Sequence, residues 1–117
     1  MSYEISLYRR EFLDRAIREQ LGDWTGADPI AESSRLQAAT FFEQRGYVEE
    51  SYPWSTGRCF KQPSQPVEAT IYTGCISFAV QQSEQGLAAL EATKDEARSL
   101  GQLLDLAVYD PQEGQLL

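Results

Sequence analysis

The chain has 117 residues, 42% of them hydrophobic and 24% charged, with eighteen acidic side chains against ten basic ones and no histidine. That length and balance predict one globular domain with a core that needs no metal or disulfide staple. The net charge of −8 argues against nucleic acid and anionic membranes as partners, and the missing histidine removes the commonest metal ligand and the usual neutral-pH base. Tyr3, Ile5 and Leu7 alternate with Ser2, Glu4 and Ser6, the period of a half-buried first strand. From Arg9 the period becomes helical: Phe12, Leu13, Ala16, Ile17 and Leu21 share a stripe that ends at Gly22. Asp28-Pro29 is a helix-start signal for a second helix carrying Leu36, Ala38, Ala39, Phe41 and Phe42 and ending at Arg45-Gly46.

Glu49 to Pro66 contains three prolines and Gly57, so turns and short edge strands are expected there. Val67, Ala69 and Ile71 alternate, Thr73-Gly74 offers a hairpin turn, and Ile76, Phe78 and Val80 alternate again. Ser83 is a candidate N-cap for a third helix with Leu87, Leu90, Ala97 and Leu100 on one stripe and Gly101 near its end. Leu103 to Tyr109 reads as a near-central strand, and Asp110-Pro111-Gln112-Glu113-Gly114 as a turn. The expected fold is α+β: a single mixed sheet of about five strands, ordered β-α-α-β-β-β-α-β, with three helices mainly on one face and a right-handed crossover through the last helix. Residues 1–117 form one domain in this reading.

No chemistry-bearing motif stands out. Gly-x-Ser-x-Gly and phosphate-loop spacings are absent. Asp105 and Asp110 would point to opposite faces of an ideal strand, and Asp110 suits the first position of the turn. Glu49-Glu50 and Asp95-Glu96 read as solvated surface. Arg9, Arg10, Arg15 and Arg18 are interleaved with acidic residues, which weakens a nucleic-acid reading. Cys59 and Cys75, sixteen positions apart, are expected reduced, with Cys75 packed as a small core side chain; the alternative is a disulfide between them. No cofactor and no metal is expected. No basic start with an apolar core, and no apolar run of about 20 residues, precedes or interrupts these elements, so the expectation is a cytoplasmic protein.

Two features suggest binding. Residues 1–45 carry a net −2, 46–81 a net −1 and 82–117 a net −5, so the excess charge gathers on the third helix (Glu84, Glu91, Asp95, Glu96) and after the last strand (Asp110, Glu113). Such a face can steer a basic partner, although surface acidity also serves solubility. Tyr52, Trp54 and Arg58 in the irregular middle are of the residue types that anchor interfaces; the alternative is that these rings, like Trp24, cover an open end of the sheet.

The opening Ser2-Tyr3-Glu4-Ile5-Ser6-Leu7-Tyr8, the helix ending Ala97-Arg98-Ser99-Leu100-Gly101 and the finish Leu106-Ala107-Val108-Tyr109-Asp110-Pro111-Gln112-Glu113-Gly114 together resemble small bacterial immunity-type proteins of polymorphic, contact-dependent and type VI toxin systems. The resemblance implies a non-enzymatic cytoplasmic protein that binds one cognate toxin or effector domain and neutralises it, with no catalytic residues to carry over. Two other classes stand beside it: a small enzyme using carboxylates, or tyrosines with Arg58, and a homo-oligomeric accessory protein, for instance a homodimer.

Overall fold

The computed structural model describes residues 2–22, 24, 26–53 and 56–117. Among them are three helices and one sheet of seven strands. In chain order these are β1 (Ser2–Arg9), α1 (Arg10–Arg18), α2 (Glu32–Gln44), β2 (Val48–Glu50), β3 (Arg58–Lys61), β4 (Val67–Ile71), β5 (Ile76–Gln81), α3 (Glu84–Leu104), β6 (Leu106–Asp110) and β7 (Gln115–Leu116).

The sheet order is β2-β3-β4-β5-β1-β6-β7, and every pairing is antiparallel. The expected mixed sheet of about five strands is corrected on both counts. The two additional strands are short: the proline-rich middle forms a pair, β2 and β3, where one short strand is expected, and β7 returns after the Asp110 turn. They are too brief for alternation to announce them. The crossover through the last helix is present in kind, since β5 and β6 run in the same direction on either side of β1.

Alternation decides the faces. Ile5, Leu7, Phe60, Val67, Ala69, Ile71, Ile76, Phe78, Val80 and Val108 point to one side, where α2 and α3 lay Phe42, Ala38, Ala89, Ala97 and Leu100 against them. Phe42 sits at the centre, with ring centroids 5.3 Å from Phe60 and 5.5 Å from Phe78. α3 approaches this face closely because Gly101 has no side chain: a Cβ there would lie 2.7 Å from Val108 Cγ2. Of the three helices expected mainly on one face, α2 and α3 share it, and α1 lies on the other, where its Phe12 packs at 5.6 Å against Tyr8, a residue on the other side of β1 from Leu7.

Element boundaries moved for local reasons. Asp28 does not cap α2; its carboxylate accepts from Arg15 Nη2 at 3.3 Å, and the helix starts at Glu32. α3 begins as expected, with the Ser83 hydroxyl accepting from Gly86 N at 3.1 Å, but it runs past Gly101 to Leu104. Asp105 then stops it in a left-handed conformation, φ 55°, so the last long strand begins at Leu106 rather than Leu103. Leu87, assigned to the buried stripe of α3, is 56% exposed.

Candidate functional site

On an α-helix, Glu84, Glu91 and Asp95 lie within a narrow angular range, and Leu87 and Arg98 flank them. The buried residues of α3, Gly86, Ala89, Thr93, Ala97, Leu100 and Leu104, occupy the opposite side. The structure therefore brings three of the candidate acidic residues onto one outward face, all exposed. Their local partners are weak surface contacts. Asp95 Oδ1 takes a bond from Arg98 at 2.8 Å, and Glu91 lies 3.8 Å from Lys94. A pair as open to water as Asp95–Arg98 contributes roughly 0–1 kcal/mol, so another cation can displace it at little cost.

Lys94 also connects this face to the turn after β6. Its Nζ is 3.8 Å from Glu91 and 3.9 Å from Asp110, and its side chain is only 13% exposed. Asp110 was grouped with the surface acids in the sequence, but it is buried. Its Oδ1 accepts from the backbone N–H groups of Gln112 at 3.0 Å and Glu113 at 3.3 Å. The carboxylate therefore organises the turn and holds Lys94, and it is not presented to a partner. Glu113, three residues further round the same turn, is exposed.

The other candidates sit elsewhere. Arg58 forms a two-pronged pair with Glu49, at 2.8 Å to each oxygen, across the β2–β3 edge. The hydrogen bond from Arg58 holds the Glu49 carboxyl below its usual range. Tyr52 donates to Glu50, and that bond is the main reason its hydroxyl is pushed up to about 12. Trp54 lies outside the described residues. The middle segment thus forms a second polar patch at the β2 edge of the sheet, separate from the acidic turn beyond β6 at the other edge.

Sequence reasoning missed a third feature, on the sheet face that α2 and α3 leave open. Cross-strand register sets Tyr8 opposite Cys75, beside the row Ser6, Ser77, Thr70 and Cys59. Cys75 is not a core residue: it lies on this open face, hydrogen-bonded by the hydroxyls of Tyr8 and Ser6. Burial pushes its thiol up to about 11, against the pull of those bonds, and burial likewise raises Tyr8 above its ordinary value. Cys75 is a free thiol. The signal was available in principle, because Cys75 precedes Ile76 and strand alternation sends it to the opposite face.

Tyr8 and Cys75 form part of a cleft of about 540 Å³, together with Trp24, Ala27, Thr56 and Tyr72. Trp24 belongs to an aromatic cluster: its ring meets Tyr8 edge-on at 5.3 Å and Tyr109 at 5.1 Å. Its indole N–H is bonded to the Leu21 carbonyl at 2.8 Å. The reading of Trp24 as a ring covering part of the sheet is the one the packing matches.

Among the described residues, no group of three or more His, Cys, Asp or Glu side chains is placed to hold a metal ion, and no helix is long and apolar enough to cross a membrane. Asp105 and Asp110 do not converge: the first is an exposed partner of Arg10 at 3.2 Å, the second is buried beside Lys94. Comparison with family models, curated proteins and solved structures finds no match to the chain, so its functional reading rests on this geometry.

Proposed function

We propose that this chain is a stoichiometric binding protein of the toxin-immunity type, acting in the bacterial cytoplasm, whose acidic α3 face engages a basic surface of a cognate toxin. The observation that carries the reading is the alignment of Glu84, Glu91 and Asp95 on one exposed helix face, with Leu87, 56% exposed, among them. A half-exposed leucine beside Glu84 and Glu91 adds apolar contact area to long-range attraction, and the charge steers association and disfavours like-charged competitors. The helix is held rigidly from behind by Phe42, Leu100 and the sheet, so little conformational freedom is lost on binding. A standard interface of about 1,600 Å² in total would cover α3 and reach the Glu113 turn.

Co-expression with the product of the neighbouring gene tests this reading. The expected result is relief of that product's toxicity and a one-to-one complex on a sizing column. A harmless neighbour that forms no complex, or a toxic one that this chain neither binds nor relieves, contradicts it.

A further inference from the structure

The cleft beside Tyr8 lies on the opposite side of the sheet from α3, so a partner seated on the acidic helix does not fill it. Its construction is specific. The Ala27–Ile30 segment is stitched to the β4–β5 turn by the bond from Ile30 N to Thr73 O at 2.8 Å. The segment fits there because Gly74 carries no side chain: a Cβ would lie 2.7 Å from the Ala27 carbonyl oxygen. Trp24 is fixed by ring contacts with Tyr8, Phe12 and Tyr109 and has its N–H already bonded, so it offers the cleft an apolar ring surface. Tyr72, which lines the cleft beside Cys75, stays 40% exposed.

The volume, about 540 Å³, falls in the range of small-molecule sites, roughly 300–1,000 Å³. All eight described lining residues are uncharged, although the chain carries −8 overall. An ion entering such a site would meet no counter-charge among the described lining residues. The Trp24, Tyr8 and Tyr72 rings that line it instead favour a flat guest in offset or edge-on contact, and the Tyr8 hydroxyl and Cys75 thiol supply one or two polar contacts. The geometry points to a binding site for a small, neutral, aromatic molecule of one or two rings, held against Trp24, Tyr72, Tyr8 and Cys75. This site is independent of the acidic helix face.

Nitrogen-15 labelling of the full chain tests it directly, because the sequence holds two tryptophans and a Trp54→Phe variant assigns the Trp24 indole N–H signal. Indole serves as the neutral probe and indole-3-carboxylate as its charged counterpart. The expected result is a saturable shift of the Trp24 signal with indole, with a Kd of about 1 mM or tighter, and binding of the carboxylate at least tenfold weaker. Tyr72→Ala, at a half-exposed wall position, weakens indole binding at least fivefold while the remaining amide spectrum is retained. Thr56→Trp, at the exposed rim, blocks the cleft and gives the same loss should Tyr72→Ala fail to fold. The site is overturned by a Trp24 signal that does not saturate, by equal binding of indole and its carboxylate, or by an unchanged titration in a folded Tyr72→Ala or Thr56→Trp protein.

Discussion

Asp105 and Asp110 bracket the same strand and do opposite work. Asp105 holds a left-handed backbone, φ 55°, which strains any residue with a Cβ. Its pair with Arg10 is exposed, at 56% and 90%, and contributes little. Asp105→Gly is therefore expected to raise stability by about 0.5–1 kcal/mol, read as a higher urea midpoint; a lower midpoint would show that the Arg10 contact dominates. Asp110 is 1% exposed and holds both two backbone N–H groups and Lys94. Asp110→Ala leaves all three without their acceptor and should cost about 2–4 kcal/mol, whereas Asp110→Asn keeps a turn acceptor and should cost less. Equal losses would mean that the charge on Lys94, and not the turn, sets the cost. Sequence spacing placed Asp110 correctly at the head of a turn, but its burial depended on where α3 puts Lys94, sixteen residues upstream.

Cys75 makes a pH prediction. Its folded value, about 11, lies above the ordinary 9.0, so the folded state retains the thiol proton longer than the unfolded chain does. That contribution is complete below about pH 9 and drains away as the pH rises from about 9 to 11. Tyr8 and Tyr47, also raised by burial, add to the loss above pH 10. Urea midpoints should fall across this window, and less steeply in Cys75→Ala. Identical slopes in the two proteins would remove Cys75 from the account.

At the scale of elements, the strands with clean alternation, β1, β4 and β5, were legible because each has one face on the core and the other facing out. Runs of two to four residues in β2, β3 and β7 carry no usable period, and tertiary pairing alone makes them strands. The Asp28-Pro29 start signal for α2 lost to a longer-range contact, Arg15 with Asp28. The end of α3 was misplaced because Gly101 resembles a C-cap, whereas its role is close packing on β6. Gly101→Ala inserts a methyl group where Val108 Cγ2 would be 2.7 Å away and the Leu106 carbonyl oxygen 3.0 Å away. It should destabilise by about 1–3 kcal/mol despite alanine's better helix propensity. A neutral or stabilising effect would show that α3 can lift off the sheet freely.

At the scale of the molecule, the sheet separates two surfaces of different character. One side buries the main core beneath α2 and α3 and turns an acidic helix face outward. The other keeps a row of hydroxyls and thiols and a neutral aromatic cleft. The charge gradient along the chain foretold the first surface, since three of its acidic residues share one helix period. The second was hidden because its members come from three separate segments, Tyr8 from β1, Trp24 from the loop after α1, and Tyr72 with Cys75 from the β4–β5 turn, that only the tertiary fold brings together. The central claim, that the α3 face binds a basic partner, is tested most directly by the affinity of the full chain for the neighbouring gene's product. It should be measured at low and high salt, for the natural sequence and for a Glu84→Gln, Glu91→Gln, Asp95→Asn variant. The account predicts at least a tenfold weaker Kd for the variant and a flatter salt dependence; equal affinity with an unchanged salt dependence would contradict it.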